Sequence, residues 1–93
     1  MRYLAEFYLP RSGADLADLA RRARTGAEQS SRAGRAVRFV SAIHAPADES
    51  CFAIYDADSP AGVGAAGSLA GIAFDRIVEV AVQEASEAAG EAG

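Results

Sequence analysis

The sequence predicts one α+β domain with the element order β-α-β-β-α-β, and three observations carry that prediction. Four segments are rich in branched and aromatic residues, beginning with RYLAEFYL (Arg2 to Leu9). A stretch after Pro10 instead repeats Leu16, Leu19, Ala20, Ala23 and Ala27 at helical spacing. The second and third apolar segments are divided only by the turn-forming PADES (Pro46 to Ser50), which marks a hairpin.

Taken in order, the first strand runs from Arg2 to Leu9 and stops at Pro10. Ser12 and Asp15 give a Ser-x-x-Asp capping signal ahead of a helix from about Ala14 to Arg32, ended by Gly34. Asp18 and Arg22 lie four apart on its polar face, in the favourable acid-first order. Gly26 weakens this helix by about 1 kcal/mol relative to alanine. Strands follow at Ala36 to Ala45 and at Cys51 to Ala57. Ser59 caps a second helix with Pro60 at its first position, and Gly71 ends it. Gly62, Gly64 and Gly67 make that helix weak alone, so it forms by close packing on the sheet or a partner. The last strand spans Asp75 to Val82. Right-handed crossovers then give a four-stranded antiparallel sheet in order 4-1-3-2 with both helices on one face, the ferredoxin-like arrangement. The domain covers residues 1–83, and residues 84–93 read as a flexible, polar C-terminal tail in which EASEAA could briefly extend a helix.

Composition narrows the function. The net charge is −4 and every basic residue is arginine, which removes Schiff-base lysine chemistry and the P-loop lysine. The acidic balance argues against nucleic acid, because neutralising phosphates needs a basic stripe. Arg21, Arg22 and Arg24 cluster, but acids surround them and the group reads as a solvated helix face. A single cysteine forms no internal disulfide, and no apolar run reaches the roughly 20 residues of a membrane span. A cytoplasmic protein, with neither nucleic-acid nor membrane partners, is the simplest expectation. Abundant alanine and few aromatic residues imply a thin core that recruits a second copy of the chain, so a homodimer is expected.

The stretches VRFVSAIHAPADESCFAIYDADS and GIAFDRIVEV, with Glu6 and Pro10, resemble a small bacterial ferredoxin-like family. That family is mostly uncharacterised and has a nickel-binding protein as its named representative. The resemblance rests on the aromatic third strand ending in Asp56 and on the G-x-x-x-D-R-I entry to the last strand (Gly71, Asp75, Arg76, Ile77). It implies this fold, an oligomer, and nickel or another divalent transition metal as ligand. At the positions matching the family's histidines this chain has Gly67 and Ile72.

Strand alternation places candidate residues. A four-residue PADE loop pairs Ala45 with Ser50 and His44 with Cys51. The alternation then assigns Arg38, Val40, Ala42, His44, Cys51, Ala53 and Tyr55 to the face away from the helices. Leu4, Glu6, Tyr8, Ile77, Glu79 and Ala81 join them there, leaving Phe52, Ile54, Val78 and Val80 to face the helices. Glu6 and Glu79 come together, with Tyr8, His44 and Cys51 toward one end and Arg38 and Tyr55 as further members. Imidazole, thiolate and carboxylate in that group suit a transition metal or, between two copies, a small ligand. The alternative is a cofactor-independent enzyme of the dimeric α+β barrel type (cyclase, isomerase or monooxygenase), with the carboxylate pair as acid and base. A structural or regulatory subunit without its own chemistry is the third reading.

Overall fold

The computed structural model describes residues 1–85. Its elements are β1 (Arg2–Tyr8), α1 (Leu16–Arg32), β2 (Val37–Ala45), β3 (Ser50–Ala57), α2 (Pro60–Ala70) and β4 (Arg76–Val80), with a 3₁₀ turn at Pro46–Asp48 between β2 and β3. The sheet is antiparallel in order β2-β3-β1-β4, the expected topology read from its other edge. The expected tail beyond residue 85 lies outside the described residues.

Local signals set the element ends. Asp15, rather than Ser12, caps α1 by accepting from the Asp18 amide at 3.0 Å, so the helix starts at Leu16. Ser59 caps α2 by accepting from the Gly62 amide at 3.3 Å, and Gly71 closes it in the left-handed region at φ 74°. The hairpin has the expected register, with His44 opposite Cys51 and Ala45 opposite Ser50. Glu49 turns it in the left-handed region at φ 51°. That conformation is tied down: the Glu49 carboxylate accepts from the Arg11 amide at 3.0 Å and from the Tyr8 hydroxyl at 3.4 Å, while its carbonyl accepts from the Leu9 amide at 3.0 Å.

The core lies between the helices and one face of the sheet. Tyr3, Ala5 and Phe7 of β1 and Cys51, Ala53, Tyr55 and Ala57 of β3 are buried there, beneath Leu19, Ala23 and Ala27 of α1 and Val63, Ala66 and Ala70 of α2. This corrects the expected face for three strands. Cys51, Ala53 and Tyr55 face the helices, whereas Phe52 and Ile54 face away. Ile77 packs on the core, and Val78 lies opposite Leu4 on the other side. The physical reason is that the two faces are alike. Both faces of β3 and β4 carry apolar side chains, so alternation alone does not say which of them meets the helices. A bulge between Phe39 and Ser41 sends Phe39 against Tyr55 while leaving Arg38 on the open face.

Two glycines mark close approaches. A Cβ at Gly26 would stand 2.6 Å from the Ala66 carbonyl oxygen and 3.0 Å from the Ala70 nitrogen, so Gly26 is where α1 and α2 touch. A Cβ at Gly67 would run into the ring of Phe74. Gly62 and Gly64, expected to be equally crowded, have only ordinary contacts at 3.8 Å.

Candidate functional site

The candidate residues divide between the two faces of the sheet. Glu6, Tyr8 and Arg38 lie on the open face, as their strand positions predict. Cys51 and Tyr55 are in the core, each 0 % exposed. His44 sits beside Cys51 at the hairpin end of the helix side, half-buried. In the tautomer protonated at Nε2 it donates to the Leu9 carbonyl at 3.3 Å. Glu79 pairs with Tyr3 and therefore also belongs to the helix side, at the exposed sheet edge. The expected Glu6–Glu79 pair is thus split by the sheet itself. Opposite Glu6 in β4 stands Arg76, a compensating charge.

This geometry decides what metal chemistry the residues suit. Among the described residues there is no group of three or more His, Cys, Asp or Glu side chains that could hold an ion. His44 and Cys51 are cross-strand neighbours, but burial pushes the Cys51 thiol up, away from the thiolate a metal needs. Gly67, at one family-type histidine position, faces the Phe74 ring and has no space for a side chain, while Ile72, at the other, is core. Within one chain the described residues therefore bring no metal-ligand set together.

What the open face does assemble is an apolar sheet flanked by charge. Leu4, Phe52, Ile54 and Val78 form its middle, with Ile43 beside Phe52 and 53 % exposed. At one end Asp56 accepts from Arg2 Nε at 2.8 Å and from Arg38 Nη2 at 2.6 Å, a three-residue ion network across three strands. The Arg2 hydrogen bond holds the Asp56 carboxyl below the usual carboxylate range, with Arg38 adding to it. Strand pairing creates this network, and the only sequence signal for it was the acid ending the third strand.

The helix side carries a second concavity. A groove of about 580 Å³ opens between α1 and β2, lined by Arg24, Ala27, Arg32, Val37 and Phe39 among others. A further hollow, of about 460 Å³, continues it past the shared Arg24 and Phe39 toward Ala17 and Val40. Of the arginine cluster read as a solvated face, Arg21 and Arg24 line this trough, whereas Arg22 turns toward α2 and donates to the Ala70 carbonyl at 3.0 Å.

Comparison with known proteins supplies the fold and no more. No family model and no curated protein matches the chain. Among solved structures, the crystal structure of SCO4226 from Streptomyces coelicolor A3(2) superposes with a TM-score of 0.70 at 20 % identity, covering 90 % of this chain and all of that one. The chain therefore shares its ferredoxin-like α+β fold with SCO4226.

Proposed function

We propose that the chain is a homodimeric binding module in which two open sheet faces close on one another around a small ligand. One observation carries this reading: helices cover one face of the sheet, while the other leaves Leu4, Ile43, Phe52, Ile54 and Val78 as a contiguous apolar surface. Water contact with such a patch is unfavourable by about 25 cal/mol per Å² of apolar area, and soluble monomers seldom leave one this continuous. The Arg2–Asp56–Arg38 network and Glu6 with Arg76 border it, as polar groups border the apolar middle of an interface. The enzymatic alternative loses its main support, because Glu6 and Glu79 lie on opposite faces of the sheet and do not form the carboxylate pair it needs.

Sedimentation velocity and native mass spectrometry test the proposal together. The expected species at micromolar concentration is a dimer, with a small organic molecule retained under gentle conditions. Ile54→Glu, which sets a carboxylate in the middle of the apolar surface, is expected to give a folded monomer. A wild-type protein that is monomeric at that concentration overturns the proposal.

A further inference from the structure

We propose that Glu6 and Arg76 together anchor the small ligand held between the two open faces, and that this ligand is a zwitterion with an apolar body, an α-amino acid such as leucine or phenylalanine. This site rests on the dimer reading, because a single sheet face leaves the far side of the ligand in water.

The anchor is a pair of opposite charges held side by side but not joined. Glu6 on β1 and Arg76 on β4 are direct antiparallel partners on the open face, which sets their Cβ atoms about 5 Å apart. No ion pair joins them among the described residues. Arg11, Arg24, Arg32 and Arg35 also lack an ion pair there, so the setting is what distinguishes Arg76. A carboxylate stands opposite it in the ladder, and an apolar surface lies beside both. The other charged group on this face is closed on itself, with Asp56 bonded to Arg2 and Arg38. Asp75, next to Arg76 in sequence, lines the hollow on the helix side instead. Glu6 is half-buried on an inner strand, so a second sheet laid over it removes its remaining water. A carboxylate without water needs donors. The ammonium of an amino acid supplies them, and its carboxylate takes the guanidinium fork of Arg76. A direct Glu6–Arg76 contact at the exposed surface is worth at most about 1 kcal/mol, so exchanging it for the ligand costs little.

The surface beside the pair selects the rest of the ligand. Leu4 and Val78 are partners of each other, and each lies two residues along its strand from Glu6 or Arg76, on the same face. Phe52 stands opposite Glu6 on its other side. Diagonal neighbours in such a ladder are about 7–8 Å apart, within reach of a branched or aromatic side chain whose α-carbon sits over the two charges. The charges of an α-amino acid are one carbon apart, which suits two neighbouring residues better than distant ones. A ligand with a single charge leaves either Glu6 or Arg76 covered and unpartnered, and a polar side chain has nothing to bond to on Leu4, Phe52 and Val78.

Isothermal titration calorimetry on the intact chain, refolded from urea to strip any retained molecule, is the test. The probes are L-phenylalanine and L-leucine, with phenethylamine and 3-phenylpropanoate as analogues that keep one charge each. Both amino acids are expected to bind saturably and about tenfold or more tightly than either analogue, the 1.4 kcal/mol within reach of one charge-assisted hydrogen bond. Glu6→Gln and Arg76→Gln are each expected to weaken amino-acid binding about tenfold. Arg35→Gln, exposed in the turn between α1 and β2, is expected to change it less than about twofold. Circular dichroism and sedimentation velocity show whether each variant is folded and dimeric, and the comparison of ligands on the wild-type chain needs no variant at all. A dimeric wild type that binds the amino acids no better than the analogues overturns the amino-acid site and leaves the dimer standing. Unchanged affinity in folded, dimeric Glu6→Gln or Arg76→Gln does the same, whereas a monomeric wild type overturns both.

Discussion

At the scale of single residues, the core holds two groups whose chemistry burial has altered. Tyr55 is fully enclosed between Phe39 and Phe74, and its hydroxyl has no hydrogen-bond partner among the described residues. Desolvation pushes its pKa up to about 12, so between the ordinary value near 10 and 12 the folded chain keeps a proton that the unfolded chain has lost. Stability is therefore full below pH 10 and falls as pH rises through that window, by up to about 1.4 kcal/mol per pH unit. Urea titrations at pH 9 and 11 read that loss, and Tyr55→Phe is expected to abolish the Tyr55 contribution. At neutral pH the same substitution is expected to leave stability unchanged or raise it by about 1 kcal/mol, since it removes an unsatisfied buried hydroxyl. Cys51 makes the complementary prediction. A buried thiol with a raised pKa reacts slowly, so DTNB labelling at pH 8 should require urea to go to completion. Rapid labelling of the native protein would place Cys51 outside the core.

At the scale of elements, the glycines separate propensity from packing. Alanine is favoured over glycine in a helix by about 1 kcal/mol, and Gly64→Ala, which meets only Ile77 Cδ1 at 3.8 Å, should gain up to that amount. Gly26→Ala and Gly67→Ala should instead lose stability, by about 1–3 kcal/mol, because the new methyl meets the backbone of α2 at one site and the Phe74 ring at the other. Denaturant midpoints order the three variants. The sequence alone marked the second helix as glycine-rich but could not tell which glycine is crowded, since that depends on where Phe74 and α1 arrive. The β2–β3 hairpin shows the same boundary. Loop length and turn chemistry made its register legible down to His44 opposite Cys51. Its orientation was not legible, because Phe52 and Ile54 are as apolar as Cys51 and Tyr55, and alternation discriminates only when one face is polar.

At the scale of the whole molecule, that ambiguity has a cause in the architecture. A sheet apolar on both sides is what a layer between helices and a second surface requires, so the property that hid the face assignment also supports the proposed dimer. The candidate site suffered most: Glu6, Tyr8 and Arg38 were placed on the correct face by β1 and by a bulge no residue pattern announced, while Cys51, Tyr55, His44 and Glu79 went to the other. The strand order has a further consequence, in time rather than space. β1 lies in the middle of the sheet and takes its last neighbour, β4, from 70 to 78 residues downstream. With synthesis at about 5–20 residues per second, one edge of the first strand made waits several seconds for its partner. During that interval Tyr3, Ala5 and Phe7 belong to an open edge able to pair with any neighbouring chain. Nascent chains stalled before Arg76 are therefore expected to be held by chaperones that bind open strand edges, and chains released after Val80 not to be. Chains arrested before Arg76 and chains released after Val80, compared by crosslinking to those chaperones, would register the difference.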